Sequence, residues 1–286
     1  MPKGGAMKRQ AVIYLHGIGE QKAGYSHKSA EKLQETFVKL LKKKDASVSS
    51  PDLICREVVW APITSDPQAE LWRRVNSKHD LDMVKLRKFL ISFAGDAIAY
   101  QKTGEGDEVY NEIDAKVQSV IDAVKNEYDG DDVEFTFVAH SLGSIIVSNY
   151  LYDHADDITA TNLFTLGSPI AVWALRYGDP AKADSPTQVE RPNGAWINIL
   201  DDEDIIGYPL RELNPHYKKA VDMDYVTEIG GVISMGNPIS HIGYWEDNNA
   251  IKPIAYKLVL DYLRIHQNKP YSKPAYLKYI RSLWNV

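Results

Sequence analysis

Residues 133–155, VEFTFVAHSLGSIIVSNYLYDHA, pass from an apolar run of strand character to one of helical character at a single residue, Ser141, with no loop between them. A strand can turn that sharply into a helix only where the flanking residues are small, because the two backbones approach closely at the corner. Ala139 and Gly143 stand two residues before and two after. A short strand followed at once by a helix is the building unit of a parallel sheet, so this corner restricts the chain to the α/β folds.

The rest of the chain repeats the alternation. AVIYLH is a short apolar run ended by Gly17 and Gly19, and Ser26–Lys44 carries Leu33, Phe37, Leu40 and Leu41 at helical spacing. LICREVVWAPI is a second strand, stopped by Pro62, and a mainly helical stretch from about 66 to 128 follows it. After the corner come TNLFTLGSP and AWINILDDED, two further short strands. The expected fold is a mostly parallel sheet with helices on both faces, and in such sheets ligands sit beyond the carboxyl ends of the strands. The 286 residues suit one domain, 1–286, with insertions: the helical stretch 66–128 and a Pro-, Gly- and Asp-rich flap loop at 169–194.

Composition narrows the class. With 44% hydrophobic residues and 25% charged, the chain has the makeup of an ordinary globular protein. A net charge of −6 and a pI of about 5.8 give no electrostatic footprint for nucleic acid, and the one basic run, VKLLKKKD, closes an amphipathic helix. The single cysteine, Cys55, sits in a strand-like run and reads as a buried thiol. No apolar run reaches membrane-spanning length and the N-terminus shows no secretory h-region, so a cytoplasmic location is expected. Neither an H-E-x-x-H motif nor a C-x-x-C pair occurs, and no metal or cofactor is expected.

The corner serine has two readings. One is a helix N-cap, for which serine is a favoured residue. The other is a nucleophile elbow, G-x-S-x-G with alanine in the first position, which lifts the hydroxyl above the sheet at a helix N-terminus. A relaxed small-x-Ser-x-Gly pattern arises by chance roughly 0.2 times in a chain this long, and here it falls on a strand-to-helix junction. A serine hydroxyl needs a base within hydrogen-bond reach and an acid to orient that base, in the chain order Ser, Asp or Glu, His. WINILDDEDIIGYPL offers Asp201, Asp202, Glu203 and Asp204 at the end of a strand. Asp204 is preferred because the apolar pair and proline after it fix its loop, with Asp201 and Asp202 as alternatives. Of the downstream histidines His216, His241 and His266, His241 lies in NPISHIGYW, ahead of the helix beginning near Asn249. The two N–H donors for a tetrahedral intermediate would come from Leu142, after the serine, and Ile18, in the HGIG loop after the first strand. HGIG is a poor dinucleotide loop, because the third glycine would have to stand at Lys22.

Taken together, these residues resemble an α/β-hydrolase of the lipase and esterase kind. LHGIG and AHSLG resemble the oxyanion strand and elbow of small bacterial lipases. TLGSP, WINILDDED and HIGYW resemble intracellular lipase-like hydrolases of the GPI inositol-deacylase and DDHD phospholipase types. The likeness runs from about Ala11 to Trp245, leaving the helical stretch and the flap unmatched. It implies Ser141 as nucleophile, Asp204 as acid, His241 as base and Ile18 with Leu142 as the oxyanion pair, with His16 and His140 as packing residues. The chain has no HGGG-type loop and no full DDHD signature, so the resemblance implies acyl transfer to water without naming the ester.

The expectation is therefore a serine hydrolase acting on a small-molecule or lipid ester. LRKFLISFAGDAIAY, with Phe89, Leu90, Ile91, Phe93, Ala97, Ile98 and Tyr100, is either core packing or a cap over an acyl pocket, joined by Trp173 and Tyr177. Amidase, thioesterase or acyltransferase chemistry would use the same triad, and a non-catalytic protein of the same fold would bind a lipid or partner.

Overall fold

The computed structural model describes residues 7–19, 21–49, 51–76, 84–102, 107–177, 190–229, 241 and 243–284. Among them six strands form one sheet: β1 (Lys8–Leu15), β2 (Ile54–Val58), β3 (Asp132–His140), β4 (Asn162–Leu166), β5 (Ala195–Leu200) and β6 (Met223–Val226). Their order across the sheet is β2-β1-β3-β4-β5-β6, and every pairing is parallel. This is the α/β-hydrolase fold, with a sheet that is wholly parallel over the described residues.

Alternation along each strand divides the core in two. In β1, Ala11, Ile13 and Leu15 face one side, where α4 (Glu108–Glu127) and α5 (Leu142–Asp153) pack. Val12 and Tyr14 face the other, where α1 (His27–Lys44) packs, with the last two described helices, α8 (Asn248–Gln267) and α9 (Lys273–Leu283). Strands covered on both faces need apolar residues on both, which is why these strands read as near-continuous apolar runs. The layers follow from a constant hand of crossover. The chain moves towards one sheet edge from β1 to β2 with α1 on one face, then reverses to reach β3, so α4 must lie on the opposite face.

That reversal places a topological switch point between β1 and β3, where the loops leaving their carboxyl ends diverge and open a crevice. The loops after β1, β3, β4 and β5 all leave the same edge of the sheet. The helical stretch after β2 contains α2 (Ser65–Asn76), α3 (Val84–Ala99) and α4. Its last member is part of the main core rather than an addition to it: Ile113, Val117, Ile121 and Val124 are buried against the sheet. Asp96 of α3 is buried and accepts the Gly19 N–H at 3.4 Å, which ties that helix to the loop after β1. Of the apolar residues in this helix and just beyond, Tyr100 is 2% exposed and stacked on Tyr110, whereas Ile98 is 69% exposed. The side chains of Phe89, Leu90 and Phe93 lie outside the described residues, as do the side chain of Tyr177 and flap residues 178–189.

Three elements depart from the sequence reading. The second strand ends at Val58, short of Pro62, because the Trp60 and Ala61 N–H groups turn inward to the ring of His16. β6 is a four-residue edge strand, too short to announce itself by pattern. The third is α9, which begins at a Ser272 cap with Pro274 in its first turn.

Helix α8 is fixed on the sheet by a buried ion pair. Lys257 Nζ lies 2.6 and 2.7 Å from the Asp261 carboxylate, which also accepts from Asn162 of β4 at 2.8 Å. Burial lowers the pKa of the Lys257 ammonium, and the Asp261 carboxylate opposes that shift. Removing one member of such a pair leaves an uncompensated buried charge. Lys257→Met should therefore destabilise the fold by about 3–5 kcal/mol in urea unfolding, and the Lys257→Met/Asp261→Met double variant should lose less than the single.

Candidate active site

The site begins with a strained residue. Ser141 has φ 52° and ψ −129°, a region that only glycine visits freely. Its backbone is held from two sides: its N–H donates to the Leu166 carbonyl of β4 at 2.9 Å, and its carbonyl accepts from Ser144 N–H at 2.9 Å and from Ser144 Oγ at 2.6 Å. Ser144 Oγ also pairs with Ser168 Oγ at 2.7 Å, which links the elbow to the loop after β4. Gly143 has no room for a side chain, since a Cβ there would lie 2.5 and 2.6 Å from the His16 and Leu15 carbonyl oxygens. The Ser141 side chain makes no capping bond to α5, which removes the N-cap reading.

Instead, Ser141 Oγ lies 2.8 Å from His241 Nε2. His241 Nδ1 lies 2.9 and 3.0 Å from the two Asp204 oxygens. Because carboxylate oxygens only accept, the hydrogen of the neutral ring is on Nδ1, and the Nε2 lone pair faces the serine hydroxyl. The three residues come from the ends of β3 and β5 and from the segment before α8, and all are buried.

Asp204 carries a dense set of partners. Oδ1 accepts the Ile206 N–H at 3.0 Å, and Oδ2 accepts the Tyr244 hydroxyl at 2.8 Å. Burial by itself would raise the carboxyl pKa. The hydrogen bond and charge of His241, then the Ile206 N–H and the Tyr244 hydroxyl, outweigh it and hold the group below its usual range. The Tyr244 oxygen in turn accepts the Asp201 N–H at 2.8 Å. Gly167 lies beneath this pair with φ 52°, and a Cβ there would fall 2.6 Å from Asp204 Oδ2.

The other acids and histidines are elsewhere engaged. Asp201 closes its own turn by accepting from Glu203 N–H and ties that turn to the chain after β6 by accepting from Ile229 N–H, and Asp202 is exposed. His216 is exposed on α7 (Pro215–Ala220), and His266 lies near the end of α8. Among the described residues, no cluster of three or more His, Cys, Asp or Glu has the arrangement of a metal site. No described helix is long and apolar enough to cross a membrane.

His16 does more than pack. Its Nε2 accepts from Trp60 N–H at 3.1 Å and Ala61 N–H at 3.3 Å, so Nδ1 carries the hydrogen and donates to the Gly17 carbonyl at 2.7 Å. Burial lowers the ring's pKa to about 4, so it stays neutral. With the Gly17 carbonyl turned towards His16, a trans peptide directs the Ile18 N–H to the opposite side. The Leu142 N–H belongs to the first turn of α5, whose N–H groups have no acceptor within the helix.

Sequence reasoning assigned no role to Tyr244, Ser144, Ser168 or Gly167. The one usable signal was spacing: Tyr244 follows His241 by three residues in HIGYW.

No protein-family model and no curated protein sequence matches the chain. Similar solved structures include the phospholipase PlaB from Legionella pneumophila in complex with thio-NAD, at 10% identity and a TM-score of 0.39 over 96% of this chain and 62% of that one. Another is Est1E from Butyrivibrio proteoclasticus, at 13% identity and a TM-score of 0.38 over 90% and 92%. A third comes from work on LipS and LipT, two metagenome-derived lipolytic enzymes, at 10% identity and a TM-score of 0.33 over 78% and 83%. The chain thus spans about three-fifths of PlaB. Likenesses this distant assign neither a substrate nor a residue role.

Tyr244→Phe isolates one partner of Asp204. A carboxyl that ionises at about pH 3.9 in the unfolded chain and at lower pH in the fold contributes stability above the unfolded value, and loses it as pH falls through the folded one. The variant should be less stable than wild type by about 1.5–3 kcal/mol at neutral pH. That difference should narrow below about pH 4, read from urea unfolding at a series of pH values.

Proposed function

We propose that the protein is a serine hydrolase of carboxylic esters, with Ser141 as nucleophile, His241 as general base and acid, and Asp204 as the carboxylate that orients it. The observation that carries this reading is the unbroken hydrogen-bond chain from Ser141 Oγ through His241 to Asp204, on a serine whose side chain does nothing for the helix it precedes. A protein that only bound a lipid or partner would need no such chain on a strained residue.

The chemistry follows from the positions. His241 Nε2 takes the Ser141 proton as Oγ attacks the ester carbonyl carbon. The oxygen that becomes negative is met by the N–H groups of Ile18 and Leu142, helped by the N-terminal dipole of α5. The intermediate collapses, and the alcohol leaves with the proton from His241. A water, deprotonated by the same ring, then attacks the acyl-serine, which releases the acid and restores Ser141. Throughout, Asp204 stabilises the imidazolium and does not itself become protonated.

The domain reading that accompanies this chemistry is a single unit, residues 1–286, with the helical stretch 66–128 as an insertion or cap and 169–194 as a flap loop.

Hydrolysis of p-nitrophenyl esters of increasing chain length tests the reading. Ser141→Ala should abolish turnover while leaving the circular dichroism spectrum unchanged, and Asp204→Asn should lower kcat by about 10⁴-fold by inverting the histidine tautomer. Turnover retained by Ser141→Ala would refute the proposal.

A further inference from the structure

Next to the serine, one buried ring takes no part in the steps above. His140, the last residue of β3, is 7% exposed and points Nε2 at the main-chain carbonyl of His241 at 2.5 Å. A carbonyl oxygen can only accept, so Nε2 carries the hydrogen and Nδ1 is bare. On the Nδ1 side the ring meets the loop after β1: a Cβ built on Gly17 would lie 3.1 Å from that nitrogen. The ring is further enclosed by His241 at 4.8 Å, Trp245 at 5.5 Å and Tyr244 at 5.7 Å between centroids. Burial, then the adjacent His241, pull its pKa down to about 3, so His140 stays neutral and its Nε2–H stays in place.

The ring is no rival base. Its bare nitrogen, Nδ1, lies against Gly17, and the nitrogen within hydrogen-bond distance of Ser141 Oγ belongs to His241. What it supplies is a reference point. The bonds from Ser141 and Asp204 act on the His241 ring, whereas the bond from His140 acts on the His241 main chain. His140 is also covalently joined to Ser141, so base and nucleophile are both fixed to one short piece of backbone at the elbow.

We propose that His140 is a positioning residue for the general base: through its Nε2–H it holds the main chain of His241 at the distance from Ser141 Oγ that proton transfer needs. This rests on the Ser141–His241–Asp204 reading and extends it by one residue. The role calls for a donor at the Nε2 position of a neutral, buried side chain. A glutamine amide nitrogen reaches that position, and an asparagine amide falls one carbon short.

Steady-state kinetics on a p-nitrophenyl ester, with the rate of inactivation by a fluorophosphonate, compares wild type with His140→Phe, His140→Gln and His140→Asn. His140→Phe should lower kcat and the inactivation rate by about tenfold to a hundredfold, as expected when a catalytic group is displaced by a fraction of an ångström. KM should stay within about twofold, since the bond serves the transition state and not substrate binding. His140→Gln should recover most of the lost rate and His140→Asn little of it. Should His140→Phe fail to fold, the contrast between the glutamine and asparagine variants decides. Wild-type rates in His140→Phe, or equal rates in the glutamine and asparagine variants, would overturn the role of His140 while leaving the triad standing. A folded wild type that the probe does not touch would overturn the triad, and this inference with it.

Discussion

Everything at the site depends on the corner at Ser141, where the chain leaves β3 and enters α5 with a positive φ on a residue that carries a side chain. Such a conformation costs of the order of 1–3 kcal/mol and persists only where its surroundings over-determine it. Here they do. The Leu166 carbonyl holds the serine N–H, Ser144 holds its carbonyl twice, and the backbone of Leu15 and His16 leaves space only for glycine at 143. The strain has a geometric return: the hydroxyl is carried away from its own helix and out to where a side chain from another element can meet it.

The order of strands determines which elements those are. Because the chain reverses between β1 and β3, the loop after β1 and the elbow after β3 face each other across the crevice, while the loops after β4 and β5 approach from the other side. A buried carboxylate is tolerable only where it is paired and hydrogen-bonded, and Asp204 meets that condition through His241, Ile206 and Tyr244. The same rule governs the opposite end of the sheet, where Lys257 and Asp261 neutralise each other beneath α8. Two rings then tie segments together at the site, His16 joining the loop after β1 to the chain after β2 through Trp60 and Ala61, and His140 joining the elbow to the main chain of His241. Both are kept neutral by burial, and both use one ring N–H as a fixed donor.

Much of this architecture is legible in the sequence, for identifiable reasons. Strands buried on both faces must be apolar throughout, so the runs containing β1, β3, β4 and β5 stand out, and α1 shows its buried stripe of Leu33, Phe37 and Leu41. β6 is invisible because four residues at an edge carry no period. At the site, local constraint is legible and remote constraint is not. Small residues around Ser141 follow from backbone contact within the motif itself. The choice among Asp201, Asp202 and Asp204 depends on how a turn folds after β5, where Asp201 is consumed by its own N–H partners and Asp204 is turned inward by the Ile206 N–H. The Glu203 and Ile206 N–H groups lie within that stretch, but the Ile229 N–H that completes Asp201 and the His241 ring that completes Asp204 come from elsewhere in the chain. The bonds made by Tyr244 and His140 join residues 40 and 101 positions apart, and only the fold shows them.

The central claim is that the hydroxyl at this corner is an activated nucleophile. Treating the folded protein with a fluorophosphonate and mapping the modified residue by peptide mass spectrometry tests it most directly, because the probe reacts with an activated serine whatever the natural ester. The account predicts one adduct, on Ser141, that is lost when the protein is unfolded before treatment. A folded protein that takes no adduct, or takes it on another residue, would contradict it.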